Sequence, residues 1–388
     1  MQNKNTYILV ILIFSQFACT SLWFAGNSIL ESLMMQTGLG IEIMGYVLSS
    51  VQLGFIIGTL VFATFMIVDR FSPSKVFFIC ALLAALCNYS LLLGNLTKWH
   101  LLAARFGTGF FLAGIYPVGM KIASDYYKKG LGKALGYLVG ALVFGTSFPF
   151  FLNNFIPQKE YSIVILTTTF MAVLGGILIY FLVPNGPYRK PSSTLQLMAS
   201  YQLFKNSKFK QAAVGYFGHM WELYAFWAFT PLAIKNYNTL QNSNLSISLL
   251  TGIIIALGGL SCIVGGIISQ RIGSYKVALN ALVASSIFCL LSPLFFKSST
   301  IIFSIGWCIW GMAVTADSPQ FSNLVAQAVP NNLKGTALTI VNCIGFTITI
   351  FSIELLSTLS NVINANYLFL LLAIGPIIGI FNLKINTN

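Results

Sequence analysis

Long apolar stretches follow one another along almost the whole chain, separated by short polar connections. A transmembrane helix needs about 20 apolar residues, and twelve stretches reach or approach that length. Only 7% of the 388 residues are charged and 57% are hydrophobic, whereas soluble domains carry about 25% charged residues. The sequence therefore predicts an all-α polytopic membrane protein with twelve transmembrane helices. We place the spans at Tyr7–Leu30, Ile41–Val68, Lys75–Leu93, Trp99–Asp125, Leu131–Phe151, Ser162–Val183, Ala212–Ile234, Leu245–Gln270, Val277–Leu294, Thr300–Ala326, Gly335–Ser357 and Val362–Phe381.

The basic residues between the spans are distributed unequally. If the amino terminus is cytoplasmic, most loop lysines and arginines face the cytoplasm, and only four face the outside: Lys98, Lys159, Lys235 and Lys297. This bias indicates that both termini are cytoplasmic, in a multi-pass protein of the bacterial inner membrane. The net charge of +13 then follows from topology. We expect a lipid bilayer, and no nucleic acid, as the partner.

The seven cysteines lie inside the spans, with no close pair in a loop. In such positions cysteine acts as a small apolar residue. We therefore expect no disulfide, no metal site and no cofactor.

One short segment of the chain recurs about 200 residues later. FMIVDRFSPSKV at 65–76 aligns without a gap with GIISQRIGSYKV at 266–277. Such internal repeats are typical of transporters built from two homologous halves. We predict two six-helix halves, at 1–184 and 212–388. Further matched segments are Tyr116-Pro117 with Ser318-Pro319, and Gly132–Leu135 with Gly335–Leu338.

The longest hydrophilic stretch, 185–211, separates the two halves and is rich in proline at its start, where a helix cannot continue. Within it, Leu195, Met198, Tyr201 and Phe204 recur at three-residue spacing among polar and basic residues. This spacing fits a short amphipathic helix within 193–210 that lies on the cytoplasmic membrane surface. A solvated linker would have the same composition, and both interpretations stay open.

The charged loop after span 2 resembles a known signature. Asp69, Arg70 and Lys75 occupy the charged positions of G-x-L-a-D-R-x-G-R-r-k, the signature loop of the major facilitator superfamily. RFGTG at 105–109 is similar to the superfamily's R-x-x-x-G motif in span 4. With twelve spans and a half repeat, the chain is identified as a member of this superfamily. The resemblance implies two pseudo-symmetric six-helix halves, alternating access, and a central cavity lined by spans 1, 4, 7 and 10.

Three further segments resemble an uncharacterised bacterial branch often labelled nitrate/nitrite-transporter-like. Nitrate porters in the superfamily carry arginines within spans 2 and 8, and here the interiors of those spans hold no charge. The drug–proton antiporter motif of span 5 lacks its Gly-Pro pair, which favours symport. The three segments are YPVGMK at 116–121, GYFGHMWELYAFW at 215–227 and ADSPQFS at 316–322.

Ionisable residues inside spans are functional candidates, because a charge in the bilayer interior costs roughly 3 kcal/mol or more. In span 4, Arg105 shares a helix face with Tyr116, and its guanidinium can hold a carboxylate or another anionic group. The alternative for Arg105 is a structural pair with Glu354 or with a backbone carbonyl. Lys121 either contacts the substrate or pairs with Asp125.

Span 7 offers His219 and Glu222, which lie three residues apart and are neighbours on one helix face. A buried carboxylate beside a histidine that titrates near neutral pH can form a proton relay. A hydrogen-bonded pair that fixes two helices is the alternative. The spacing also fits two zinc ligands, but no further ligand follows nearby, so we expect no metal.

In span 10, Asp317 stands immediately before Ser318-Pro319, where the proline interrupts helical hydrogen bonding. Trp310 and Gln320 lie on roughly the same face as Asp317. A carboxylate at a kink suits gating or proton coupling, and a salt bridge to Lys121 is the alternative.

Span 1 carries a polar and aromatic stripe that includes Gln16, Trp23 and Asn27. These side chains either contact substrate in the presumed cavity or form interhelical hydrogen bonds. Gln16 occupies about the place in the first half that His219 has in the second.

The resemblance also implies a cytoplasmic latch formed by the loops that contain the signature. Asp69, Arg70 and Lys75, with Asp125 at the end of span 4, are similar to the charge cluster that holds these transporters closed in one conformation. Arg271 and Lys276 belong to the second copy of the loop, in which an uncharged glutamine replaces the aspartate. We expect the second latch to be weaker.

Together these residues predict a secondary active transporter and not an enzyme. We expect a small polar or anionic organic solute as substrate, proton-coupled symport through Glu222 or Asp317, and function as a monomer. The alternatives are a multidrug/proton exporter and a membrane-embedded sensor or enzyme.

Overall fold

The computed structural model describes residues 2–40, 43–94, 96–127, 131–156, 160–189, 199–330, 333–360 and 362–384. Every regular element in these ranges is helical. The chain divides into two compact units, Met1–Leu195 and Gln196–Asn388.

Six spans make up the first unit. Their helices are Gln2–Thr20 and Leu22–Ser28 (span 1), followed by a short helix Leu30–Thr37; Ile43–Thr64 (span 2), followed by Ile67–Arg70; Pro73–Tyr89 and Ser90–Leu92 (span 3); Lys98–Leu112 and Tyr116–Tyr126 (span 4); Leu131–Phe155 (span 5); and Ser162–Leu182 (span 6).

The second unit begins with a short helix and continues with six spans. Its helices are Ala199–Lys205; Ser207–Gln241 (span 7); Ile247–Ile272 (span 8); Ser274–Phe295 (span 9); Thr300–Ala316 and Ser318–Gln327 (span 10); Lys334–Leu359 (span 11); and Ala365–Leu368, Phe369–Ala373 and Ile374–Lys384 (span 12).

Eleven helical segments in the described part of the chain are long and apolar enough to cross a membrane. Span 7 is the twelfth: it is 35 residues long, but it is more polar and carries His219 and Glu222 in its middle. The predicted all-α architecture of twelve spans is therefore confirmed. The most polar span is also the one that holds two of the candidate side chains.

The six spans of each unit pack in the same order. Span 1 packs against spans 5 and 6, span 2 against span 4, and span 3 against span 6; in the second unit span 7 packs against spans 11 and 12, span 8 against span 10, and span 9 against span 12. The two copies of the sequence repeat, 65–76 and 266–277, thus lie in two units whose helices pack in the same arrangement.

Spans 4 and 10 are interrupted at equivalent prolines. The second helix of span 4 begins at Tyr116 with Pro117 in its first turn, and that of span 10 begins at Ser318 with Pro319 in its first turn. Proline lacks the N–H that a continuous helix would use and is tolerated in the first turn of a new helix. The prolines therefore place both breaks.

Span 2 ends earlier than predicted. Its helix stops at Thr64, and Met66 adopts a left-handed conformation with φ of 49° before the short helix Ile67–Arg70. Because a left-handed residue cannot continue a right-handed helix, the predicted end at Val68 is wrong. The break turns the signature loop into a separate short element.

Only part of the predicted surface helix lies in the described residues, since Leu195 and Met198 fall outside them. The observed helix is Ala199–Lys205, in which Tyr201 is 71% exposed and Leu203 is buried. The Phe204 ring packs on Phe209 at the start of span 7, 5.1 Å between centroids. Leu203 and Phe204 thus lie on the packed side of this helix and Tyr201 on its exposed side, and the predicted position on the membrane surface stays a prediction.

Candidate functional site

Glu222, in the middle of span 7, is fully buried and held by side chains of two other spans. Ser285 of span 9 donates to both carboxyl oxygens, and Trp310 Nε1 of span 10 donates to Oε1 at 2.6 Å. Cys289 Sγ, one turn beyond Ser285, lies 3.3 Å from the same Oε1. The carboxyl group is therefore fixed between spans 7, 9 and 10.

All the donors to Glu222 are neutral. No lysine, arginine or histidine lies at ion-pair distance from its carboxyl group within the residues that the structure describes. A buried carboxylate is normally paired with a cation or hydrogen-bonded throughout. Here the carboxyl group has hydrogen-bond donors but no neighbouring cation, so the net charge of this site changes whenever Glu222 gains or loses a proton.

His219 lies one turn before Glu222 and contacts a different carboxylate. Its Nδ1 is 2.7 Å from Asp317 Oδ1, and neither side chain is more than 1% exposed. The separation is that of an ion pair, although the ring is not oriented for a hydrogen bond, and Nε2 has no hydrogen-bond partner among the described residues. The His219 ring faces Tyr216 and Phe321, at 5.9 and 6.3 Å between centroids.

Asp317 is the residue at which span 10 breaks. Its backbone carbonyl accepts from the N–H groups of Gln320 and Phe321, each at 2.9 Å, so Asp317 caps the second helix of the span. Negative charge is favourable at a helix N-terminus. The break thus presents the Asp317 carboxyl group to His219, and Gln320 is buried one turn further on.

The first unit holds a buried cation. Arg105 is fully buried and donates through Nη1 to the carbonyl of Leu22 at 3.1 Å and through Nη2 to that of Trp23. Its Nε has no hydrogen-bond partner in the described ranges. Gly26 makes room for the guanidinium, since a methyl group there would lie 3.0 Å from Nε.

Two buried glutamines of the first unit have unused amide groups. Gln16 and Gln52 are fully buried, and neither amide oxygen nor nitrogen of either one has a hydrogen-bond partner among the residues described. Gln16 lies against span 4, where a methyl group on Gly119 would be 2.4 Å from its Oε1. Unpaired buried polar groups are rare, so these amides are candidates for binding a polar ligand.

The remaining candidates lie around these groups. Trp23 is fully buried with its ring 4.9 Å from that of Phe55, whereas Asn27 and Tyr116 are partly exposed. Tyr116 is the first residue of the second helix of span 4.

At the end of span 4, Lys121 Nζ bonds Asp125 Oδ1 at 2.6 Å. The Asp125 carbonyl accepts from the N–H of Tyr188, and Arg189 Nη2 donates to the carbonyls of Asp69 and Phe71 at 3.0 and 2.8 Å. The start of the linker is therefore fastened to the signature loop and to span 4. Arg70, Lys75, Arg271 and Lys276 are exposed.

A model of the Major Facilitator Superfamily matches residues 11–383. This chain belongs to the major facilitator superfamily. The match extends from within span 1 into the last helix of span 12, so it confirms the resemblance that the signature loop and the half repeat predicted. The narrower resemblance to the nitrate/nitrite-transporter-like branch stays a prediction.

Among curated relatives, the "Multi-drug resistance efflux pump PmrA homolog" of Lactococcus lactis subsp. lactis (strain IL1403) is 25% identical over 242 residues. That alignment covers 60% of this chain and 58% of the relative. It therefore spans less than two thirds of that pump.

Solved structures of superfamily transporters share the fold. Three of them are the human organic anion transporter MFSD10 (TM-score 0.73, 14% identity, 99% of both chains), the nucleoside transporter NupG (0.72, 14%, 98% of this chain and 100% of that one) and the proton:xylose symporter XylE (0.75, 13%, 98% and 95%). At such identities the likeness shows the fold alone.

The pairings within this superfamily member differ from the sequence predictions in one main respect. His219 and Glu222 were expected to form a relay with each other, but His219 contacts Asp317 while Glu222 contacts Ser285, Cys289 and Trp310. Although 60° apart on the helix, the two side chains point to different neighbours. Of the alternatives, Arg105 has backbone carbonyl partners and Lys121 has Asp125.

Four residues of the site and its surroundings were not predicted from the sequence. Ser285 and Cys289 lie in span 9, outside the spans 1, 4, 7 and 10 that the resemblance assigns to the cavity, although Ser285, Cys289 and Ser292 recur on one face of that span. Gln52 is an isolated polar residue in an apolar span. Arg189 lies in the linker, where a basic residue has no distinguishing pattern.

Proposed function

We propose that this chain is a secondary active transporter that moves a small polar or anionic organic solute across the bacterial inner membrane by alternating access, with proton symport through Glu222. Both termini are cytoplasmic in this proposal, the working unit is a monomer, and no catalytic reaction is involved. Membership of the superfamily supports transport. The observation that carries the coupling is Glu222, buried among neutral donors only.

Proton coupling follows from the cost of charge in an apolar interior. Glu222 has no cation beside it in the described structure, so the protonated and ionised forms of its site differ by a full charge. A transporter that exposes such a group to one side and then the other carries a proton whenever the two forms alternate. Asp317, which already faces His219 at 2.7 Å, is a second titratable group on span 10.

The solute class follows from the first unit. Arg105 is a buried, permanently charged group whose Nε is unused, and Gln16 and Gln52 offer four unused amide positions. Guanidinium binds carboxylate and phosphate groups, and amides bind hydroxyl and carbonyl groups. An acidic group on the solute suits Arg105, and hydroxyl or carbonyl groups suit the amides. Gln16 lies ten residues along span 1 from Gly26, which contacts Arg105, so a small solute meets these two residues in turn and not together.

The test begins with a thermal-shift screen of metabolites on the purified protein, since a ligand of the folded state raises its melting temperature. A hit is then assayed for uptake into proteoliposomes with an imposed proton gradient. We expect gradient-driven accumulation by wild type, and by Glu160→Gln as the exposed control. In Glu222→Gln accumulation is lost while counterflow exchange continues. Accumulation by wild type that ignores a collapsed gradient would exclude proton coupling.

The second candidate function is drug export, which the 25% identity to an efflux pump favours. Aromatic side chains surround Glu222, with the Trp310 ring 4.6 Å from Phe226 and 5.2 Å from Trp307. Deletion and overexpression strains compared on a panel of cationic drugs decide this point. If drug susceptibility is unchanged in both strains, drug export is excluded. If overexpression of wild type changes susceptibility and overexpression of Glu222→Gln does not, drug export replaces solute uptake as the proposed function.

A further inference from the structure

The two carboxyl oxygens of Glu222 have unequal surroundings. Oε1 faces three donors, which are Trp310 Nε1 at 2.6 Å, Cys289 Sγ at 3.3 Å and Ser285 Oγ. Among the residues that the structure describes, Oε2 has Ser285 Oγ as its one donor. A proton on Oε1 would have to occupy a side of the group already filled by donors. Oε2, which accepts from fewer donors, is the oxygen with a lone pair left for the proton.

The donors also differ in what they can do when the carboxyl group takes up a proton. An indole N–H can only donate, whereas a serine hydroxyl can donate or accept. Ser285 can therefore donate to the carboxylate and, after a rotation of its hydroxyl, accept from the acid. Its own hydrogen can then bond a carbonyl one turn earlier in span 9, as helical serines commonly do. Trp310 has no such alternative.

We propose that Ser285 and Trp310 are positioning residues that direct the proton of Glu222 to Oε2. Trp310 keeps Oε1 as the accepting oxygen in both states, and Ser285 reverses its hydrogen bond as the proton arrives and leaves. Cys289 supports Oε1 from the next turn of span 9. The inference rests on the proposed role of Glu222 as the proton site, and it assigns span 9 a part in coupling that the superfamily resemblance did not imply.

Other titratable groups lie near enough to affect the titration. In the described part of the second unit these are Cys289 on span 9, Asp317 on span 10 and His219 on span 7 itself. Asp317→Asn therefore accompanies each measurement, because it removes the second carboxyl signal without touching the donors of Glu222.

The chain provides matched controls for both residues. Ser286 is the next residue in span 9 and is also buried, but Glu222 bonds only Ser285 of the two. Trp307 is one turn from Trp310 and fully buried, yet its Nε1 has no hydrogen-bond partner in the described ranges. Trp307→Phe reproduces the change in bulk of Trp310→Phe, and Ser286→Ala removes a hydroxyl group from the same helix, in both cases without the loss of a donor to Glu222.

The experiment is pH-difference infrared spectroscopy of the purified protein, with the protonated carboxyl band assigned to Glu222 by its absence in Glu222→Gln. Ser285→Val and Trp310→Phe should each move the midpoint to higher pH by about one unit, a tenfold change in proton affinity, because each removes a donor to the charged form. Ser285→Thr keeps the hydroxyl with the shape of valine and should restore the wild-type midpoint. Ser286→Ala and Trp307→Phe should leave it in place.

The assignment to Oε2 has its own signature. The O–H stretching band of the acid should shift to higher frequency in Ser285→Val, where its acceptor is gone, and not in Trp310→Phe. A midpoint and O–H band in Ser285→Val equal to those of Ser286→Ala would overturn the positioning role. A spectrum of Glu222→Gln identical to wild type is a different failure, because it removes the proton site itself.

Discussion

The two units of this protein pack alike and differ in chemistry. Both break their fourth span at a proline, and both set the first span against the fourth. At the break itself, however, the first unit has Ile115 where the second has Asp317. The shared features are those that packing requires, whereas the differing ones are the titratable groups.

The same contrast appears one helix away. Gln16 of span 1 lies against Gly119, the fourth residue after the break, and His219 of span 7 lies against Phe321, the fourth residue after its own break. Three residues on, Cys19 stands in the first unit where Glu222 stands in the second. The first unit thus keeps a fixed cation and neutral amides, and the second keeps groups that can change protonation. We infer a division of labour, with solute recognition in the first unit and proton coupling in the second.

The largest expected effect comes from replacing His219 of the second unit by glutamine, the residue that the first unit has at the matching position 16. His219→Gln leaves Asp317 buried without its basic partner, which should cost about 3–5 kcal/mol of stability. His219→Gln combined with Asp317→Asn removes the stranded charge and should recover most of that loss. Melting temperatures of the two variants measure the difference. Equal destabilisation by both would show that the ion pair has no role in holding spans 7 and 10.

Helix crossings provide the next comparison. A methyl group on Gly54 would lie 2.0 Å from the backbone carbonyl oxygen of Phe106, whereas one on Gly258 would meet the Thr315 hydroxyl at 2.6 Å, and a side chain can move. Gly54→Ala should therefore cost about 1–3 kcal/mol or more, and Gly258→Ala less. Thermal unfolding of both, with Gly136→Ala as the unhindered control, ranks them. The reverse ranking would contradict the close approach of spans 2 and 4.

The buried arginine should matter by less. Arg105→Lys keeps the charge but replaces two directed bonds to the Leu22 and Trp23 carbonyls by a single ammonium, at an expected cost of about 1–2 kcal/mol. Arg271→Lys, at an exposed site, is the matched control and should be neutral. If Arg105→Lys melts like the control but loses the thermal shift given by a screened solute, the carbonyl bonds contribute little and the ligand role dominates.

The smallest effect belongs to the ion pair at the end of span 4. Lys121 is 20% exposed and its partner Asp125 5%, and partly exposed pairs contribute about 1 kcal/mol or less. Lys121→Met should therefore lower the melting temperature by little more than Lys297→Met, at an exposed loop position. A loss as large as that of His219→Gln would contradict this ranking, because it would show that the Lys121–Asp125 pair contributes far more than a partly exposed ion pair.

The sequence was sufficient for the architecture because each span leaves a local signal. Apolar length gave the twelve helices, and Pro319 gave the break in span 10. The break at the matching Pro117 of span 4 was not predicted, although the same residue type marks it. The end of span 2 was wrong because nothing local marks Met66, whose left-handed φ arises where the chain turns into the signature loop.

The site was harder to predict, since partner choice depends on which neighbour a helix face meets. His219 and Glu222 share a helix face by their spacing, yet they contact different residues. His219 contacts Asp317 of span 10, whereas Glu222 contacts Ser285 of span 9 and Trp310 of span 10. Small polar residues such as Ser285 and amides such as Gln52 become site candidates only when the structure shows that they are buried. Glu222 and Arg105 could be identified from the sequence because they are ionisable residues inside spans. Their partners could not, because these depend on how the helices pack.

Proton coupling through the second unit requires that its buried acid, Glu222, exchanges a proton. The most direct measurement is the pH-difference infrared spectrum of wild type against Glu222→Gln, with Glu160→Gln as an exposed acid that should change nothing buried. We predict a protonated carboxyl band that titrates in wild type and in Glu160→Gln and is absent from Glu222→Gln. A band that survives in Glu222→Gln, or no titrating band in wild type, would contradict the assignment of proton coupling to Glu222.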